Sequence, residues 1–204
     1  MWKGNEKMVK NLKKKEGNRG ESHVNDCWLT GELAGPVVLL NGCRTKTSLL
    51  FIEDYVSEML LYGELFLTDG PCTVKNATKS ALKTYGIPEK IVMAKQYFSE
   101  MSRFYKVFEG IGICTVYVDE KLFFRKVNRW KECFTKWKCR MERGRYASLK
   151  ELNYLFLKMY YREYFNAIQP NYKMTPRERF LLDIDEIVFL DPAAVEESFN
   201  KKII

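Results

Sequence analysis

The chain of 204 residues holds a single histidine, His23, and that bounds its chemistry at once. A serine or cysteine nucleophile needs an adjacent base and a group that orients the base. His23 stands in a polar stretch, Glu21 to Asp26, so acyl transfer is disfavoured. Metal-free RNA cleavage by a Tyr–His–Lys set is disfavoured on the same ground. No glycine-rich phosphate loop or dinucleotide-binding turn is present. Asp183, Asp185 and Glu186 form an acidic group. Two carboxylates two residues apart on a strand can share a metal ion, but such a group is more often a solvated loop or helix end, the reading preferred for it. The six cysteines contain no CxxC pair and no zinc-ligand spacing. Reduced thiols, no metal and no cofactor are expected.

Positive charge is the stronger signal. The net charge is +8, and it is concentrated in two blocks. Residues 1–20 carry seven Lys/Arg against two acids, and residues 121–145 carry ten against two. Two basic blocks on a mildly acidic body point to a polyanion, nucleic acid foremost. A merely solubilising role accounts for them equally well. The candidate contacts are Lys13, Lys14 and Lys15 in the tail. In the second block they are Lys126, Arg129, Lys131, Lys136, Lys138, Arg140 and Arg143. Trp130, Phe134, Trp137 and Met141 recur at spacings of four, three and four through that block. The pattern predicts a basic amphipathic helix over 126–143. Its rings read as core, and for its cations phosphate contact and a solvated face are equally good readings.

The elements that position these groups follow from periodicity. Residues 1–26 lack apolar periodicity and read as a disordered basic tail. Pro36 to Leu40 reads as a strand, turned by Asn41-Gly42. Ser48 to Tyr62 has apolar groups at helical spacing and ends at Gly63. Leu65-Phe66-Leu67 then makes a short strand. A helix capped by Thr73 runs through Leu82 and ends at Gly86, and a third helix starts at Pro88-Glu89 with Ile91, Ala94, Phe98 and Met101 on one face. Tyr105 to Phe108 and Ile113 to Val118 read as a hairpin around Gly110-Ile111-Gly112. Ser148-Leu-Lys-Glu151 and Thr175-Pro-Arg-Glu178 are capping signatures opening two more helices. Ile187 to Leu190 reads as a last strand, and Asp191-Pro192 opens a final helix. The class is α+β, a small mixed or antiparallel sheet packed by several helices, with a helical C-terminal half. The divisions are a tail (1–26), a compact core (27–120) and a mainly helical extension packed on it (121–204). The longest apolar runs are short, such as Val37 to Leu40, whereas a bilayer span needs about 20 residues. No apolar signal core follows the basic N-terminus, so export and membrane insertion are not expected.

Part of the core resembles a known family. Glu53-Asp54 through Tyr62-Gly63-Glu64-Leu65-Phe66-Leu67 is similar to the acid-started helix, glycine and short apolar strand of the structural subunit of the eukaryotic tRNA-splicing endonuclease. Pro71 to Ala77 resembles that family's proline-led helix. Gln96 to Phe108 resembles its aromatic helix, with Arg103 at the basic position. Phe104-Tyr105 stands where the family has a Gly-Tyr pair, and the family's nuclease-like C-terminal domain is not evident. The resemblance implies a chain without an active site of its own, in an intracellular, nuclear RNA-processing complex. Its partners would be precursor tRNA and other protein subunits. The rival reading is a stand-alone nucleic-acid-binding or assembly protein of viral origin, using the tail and the basic helix. A third is a protein-interaction module without RNA contact.

Overall fold

The computed structural model describes residues 23–67, 74–94, 106–126 and 130–200. The tail with Lys13, Lys14 and Lys15, the Thr73 cap and most of the helix expected after Pro88 lie outside the described residues. Six strands form one mixed sheet: β1 (Cys27–Leu40), β2 (Cys43–Asp54), β3 (Leu60–Leu67), β4 (Lys90–Ala94), β5 (Cys114–Val118) and β6 (Arg145–Tyr146). Their order is β3-β2-β1-β4-β5, with β6 also paired to β1. The β1–β2 and β2–β3 pairs are antiparallel. The pairs β1–β4, β4–β5 and β1–β6 are parallel. The helices are α1 (Val74–Tyr85), α2 (Glu120–Lys126), α3 (Trp130–Met141), α4 (Leu149–Tyr160), α5 (Pro176–Leu181) and α6 (Pro192–Asn200). The fold is α+β.

Side-chain alternation divides the interior into two cores. Leu29, Leu49, Phe51, Leu65, Val92, Ala94, Val116 and Val118 point to one face, where they meet Phe123, Trp130, Phe134, Trp137, Leu152 and Phe156. Trp28, Leu50, Ile52, Leu61, Ile91 and Met93 point to the other, where α1, residues 107–113, Phe180 of α5 and Val195 and Phe199 of α6 cover them. A strand covered on both faces has no polar side, so it reads as a continuous apolar run.

That explains the principal departure from the sequence expectation. Ser48 to Tyr62 is not a helix. Ser48-Leu-Leu-Phe-Ile-Glu-Asp54 is the buried half of β2, and the chain turns at 55–59 into β3. Short apolar runs fit strand and helix periodicity equally, and double burial removed the alternation that separates them. For the same reason Ile91 to Ala94 lies in a strand rather than the expected helix. Residues 106–110 are helical where a strand was expected. Ile187 to Leu190 forms no strand, although Val188 accepts the Ile87 N–H at 2.8 Å.

Local chemistry fixes the remaining boundaries. Asn41 and Gly42, at φ 49° and 81°, close β1 onto β2 in the two-residue turn that matches strand twist. The β1–β2 register shifts between Ala34 and Val37. There Pro36 has no N–H to contribute, and its carbonyl accepts the Thr47 hydroxyl at 2.7 Å. The bulge changes which residues face inward, from Leu29 and Leu33 to Val38 and Leu40. The expected caps are formed: Ser148 Oγ accepts the Glu151 N–H, and Thr175 with Glu178 makes a reciprocal capping box. The edge strand β3 is shielded by α4, because Asn153 both accepts from Leu65 N (2.7 Å) and donates to Leu65 O (2.8 Å).

Helix α6 is tied to α1 by Glu196, which accepts from Lys79 at 2.6 Å and from Lys83. These bonds hold the carboxyl down at about 2, against an ordinary 4.5. A depressed carboxylate stabilises the fold above its unfolded value and loses that contribution as pH falls through its folded one. Thermal midpoints measured from pH 4.5 down to about 2 are therefore expected to fall more steeply for the native chain than for Glu196→Gln. Parallel curves for the two proteins refute the tie.

Candidate nucleic-acid interface

In sheets of this type, ligands generally collect beyond the carboxyl ends of the parallel strands. The described residues there are Gly31 of β1, Ala94 of β4 and Val118 of β5, with Glu32 beside them and Asp119 and Glu120 after β5. On the face of Phe51 this end is apolar. A Cβ on Gly31 would meet the Phe123 ring at 2.7 Å and Phe51 at 3.2 Å. Phe51 packs edge-on against Trp130 at 4.9 Å and lies 6.1 Å from Phe123. Gly31 is thus required by close packing of aromatic rings.

Asp54, at the far end of β2, is committed to structure. Asp54 accepts the N–H groups of Asn25 and Ser57, each at 2.8 Å, and the Ser57 hydroxyl at 2.6 Å. Burial pushes its carboxyl above the ordinary value, against the pull of those hydrogen bonds. Of the acidic group singled out in the sequence, Asp185 and Glu186 are exposed, while half-buried Asp183 accepts Val24 N–H at 3.0 Å and pairs with Arg179 at 3.5 Å. His23 reaches Asp183 and Glu186 at 3.7 and 3.3 Å. Among the described residues no three His, Cys, Asp or Glu side chains are grouped to hold a metal ion.

Of the helix expected over 126–143, residues 130–141 form α3, with Trp130, Phe134, Trp137 and Met141 all buried. The rings are core: Phe134 and Trp137 pack edge-on against Phe156 at 5.9 and 6.2 Å. None is available to stack on a base. The cations divide. Lys131 lies 4.5 Å above the Phe124 ring. Lys138 donates to Ala34 O at 3.2 Å. Arg140 forks onto Glu163 at 2.9 and 2.6 Å, and Trp137 Nε1 donates to the same carboxylate. The Arg140 bond holds the Glu163 carboxyl below its ordinary range. Lys136 and Arg143 face solvent. Lys126 ends α2, and Arg129 lies outside the described residues.

Periodicity within the block did not reveal three further exposed cations: Arg44, Lys46 and Arg145. They lie at the hairpin end of the sheet, separated by about a hundred residues of sequence. Alternation outward from Asn41-Gly42 was signal enough for the first two, because it places Leu39, Arg44 and Lys46 on one face.

No protein-family model matches the sequence, and no characterised protein matches it at sequence level. Solved structures do match. The HTLV-2 integrase catalytic core domain, solved in complex with magnesium in a dimeric form, has 15% identity to this chain and a TM-score of 0.54. The match covers 79% of this chain and 98% of that one. The catalytic core domain of BIV integrase matches with 10% identity and a TM-score of 0.54, over 79% of this chain and 97% of that one. A chain of the simian T-cell lymphotropic virus intasome, in complex with PP2A regulatory subunit B56 gamma, matches at 13% identity and a TM-score of 0.54. That match spans 79% of this chain and 57% of the other. The chain has an integrase-core-like fold.

Two expectations are corrected by these likenesses. The reading as a structural subunit of a tRNA-splicing endonuclease is overturned, because the matching architecture is that of viral integrase cores. The expectation of a non-catalytic chain, not an enzyme, is overturned as well, since the matching structures are catalytic core domains. The magnesium of the HTLV-2 structure does not fit the described residues. Gly31, Ala94 and the ring of Phe123 offer no ligand oxygen from their side chains, and the carboxylates of Glu32, Asp119 and Glu120 do not gather into a group that could hold the ion.

Proposed function

We propose that this chain is a nucleic-acid-binding protein of viral type, built on an integrase-core scaffold, with duplex DNA as its polymer. The observation that carries the reading is the mixed sheet β3-β2-β1-β4-β5 covered by helices on both faces, matching integrase cores over 79% of the chain. The +8 charge supports it, as do the exposed Lys136 and Arg143 on and just beyond α3. Binding rests on phosphate neutralisation rather than base stacking, because the aromatic side chains of α3 are buried.

Fluorescence anisotropy with a labelled duplex tests this directly. Each phosphate contact contributes about 0.9 to the slope of log affinity against log salt. Six contacts therefore weaken binding by roughly a thousandfold between about 50 and 200 mM salt. A flat salt response, or no binding to the duplex at low salt, overturns the proposal. Equal or tighter binding to single-stranded RNA of the same length overturns the choice of duplex DNA. Lys136→Gln with Arg143→Gln is expected to lower the slope by up to about 2.

A further inference from the structure

The hairpin end of the sheet carries a feature that joins Arg145, the last cation of the second charged block, to two cations outside both blocks. On β1, Leu39 pairs with Arg44 of β2 on one side and with Arg145 of β6 on the other. Lys46 lies two residues along β2 from Arg44, opposite Val37. Residues directly paired across strands share a face, so Arg44, Leu39 and Arg145 form one row and Lys46 with Val37 the next. All three cations and Leu39 are exposed.

The opposite face of this end is closed. Val38, Leu40 and Tyr146 point inward to the core that holds Met141. Tyr146 anchors β6: its hydroxyl donates to Met141 O at 2.8 Å, and its carbonyl accepts Asn41 N–H at 3.0 Å. Because neighbouring residues on a strand face opposite ways, burying Tyr146 directs Arg145 outward, beside the hairpin. The cations are therefore mounted on a paired sheet rather than on a free loop. Among the described residues none of the three takes part in an ion pair or side-chain hydrogen bond. The nearby Glu142 carboxylate is engaged by the Val37 N–H at 3.2 Å.

We infer that this bare face is a docking surface for the sugar-phosphate backbone of duplex DNA, an inference that rests on the nucleic-acid reading above. Guanidinium groups fork onto phosphate oxygens, and the paired strands hold two of them in line. At a strand spacing of about 4.8 Å, Arg44 and Arg145 stand roughly 10 Å apart, and Lys46 follows Arg44 by about 7 Å. These spans are of the order of the spacing between neighbouring phosphates along one strand, so the three cations can meet adjacent phosphates. Leu39, between the two arginines, contributes no charge and leaves the row open to a rigid backbone.

The experiment compares the full chain with the triple variant R44Q/K46Q/R145Q and the charge-preserving R44K/R145K, using the same labelled duplex over a salt series. The triple variant is expected to bind at least about tenfold more weakly at low salt, with a slope reduced by up to about 3. The lysine variant should keep the slope while losing part of the affinity. The substituted side chains are exposed, so an unchanged thermal midpoint confirms that the triple variant is folded. If the native chain binds with a steep slope and the triple variant matches it, this surface is excluded while the general reading stands. If the native chain does not bind, the general reading falls and takes this one with it. Displacement of the duplex by polyglutamate as readily as by unlabelled duplex also overturns the phosphate assignment.

Discussion

Phe51→Ala is expected to destabilise the chain by about 3–5 kcal/mol, a large share of the roughly 5–15 kcal/mol that holds a domain of this size together. The ring is fully buried at the centre of β2. It touches Trp130 edge-on at 4.9 Å, lies 6.1 Å from Phe123, and would contact any side chain placed at Gly31. Strand β2 and helices α2 and α3 therefore meet at this one residue. Truncation leaves a void bordered by two large rings that cannot both collapse into it, and residual cavity volume is what raises the cost above simple transfer. Urea denaturation monitored by tryptophan fluorescence gives the measurement. Phe51→Leu, which refills most of the space, should cost markedly less. If Phe51→Ala shifted stability by less than about 1 kcal/mol, the junction described here would be wrong.

The second large effect is expected at Asp54. Its carboxylate receives backbone N–H groups from Asn25 and Ser57 together with the Ser57 hydroxyl, all within 2.8 Å. Asn25 is in turn a hub. It adopts φ 65°, donates through its amide to Tyr85 O at 2.6 Å, accepts from Trp28 Nε1 at 2.9 Å, and offers its carbonyl to Glu89 N–H at 2.8 Å. Asp54→Ala strands two buried backbone N–H groups, each at about 1–3 kcal/mol, removes the acceptor of the Ser57 hydroxyl, and loosens the link between β2, the start of β1 and the end of α1. A total loss of about 2–5 kcal/mol is expected. Asp54→Asn keeps one accepting oxygen but turns its amide toward another donor, so it should fall between alanine and the native residue. The pH dependence has a definite sign. Burial raises the carboxyl above its ordinary 3.8, so the folded state binds the proton more tightly than the unfolded chain. This residue's contribution is fully present below 3.8 and declines as pH rises through the raised value. It therefore runs opposite to that of Glu196. Chemical denaturation of Asp54→Asn across acidic pH should lack the decline, and an identical profile in the two proteins would remove Asp54 as its source.

Local chemistry was legible in the sequence wherever a short-range rule governs the backbone. The Asn41-Gly42 turn, the caps at Ser148 and Thr175, the end of α1 before Gly86 and the helix opened by Asp191-Pro192 all form as their residues imply. The spacing of Trp130, Phe134, Trp137 and Met141 was sufficient to give helix α3 and to assign those side chains inward. Each of these signals is contained within a dozen neighbouring residues, so no knowledge of the fold is needed to read it.

Tertiary structure decided the rest. Whether Leu49-Leu50-Phe51-Ile52 is strand or helix depends on what covers it, and both covering layers come from distant sequence: α2 to α4 on one face, α1 and α6 on the other. The same holds for the cations. Lys131, Lys138 and Arg140 looked equivalent to Lys136 and Arg143 along the chain. Phe124, Ala34 and Glu163 engage the first three, and only folding brings those partners near. The row of Arg44 and Arg145 exists because β1 stands between two strands whose sequences lie about a hundred residues apart. Sequence alone established a basic chain able to bury a substantial core, with little means for histidine-dependent catalysis. Which charges remain available to a polyanion was set by the pairing of strands and the packing of helices, because both are long-range and neither leaves a local mark.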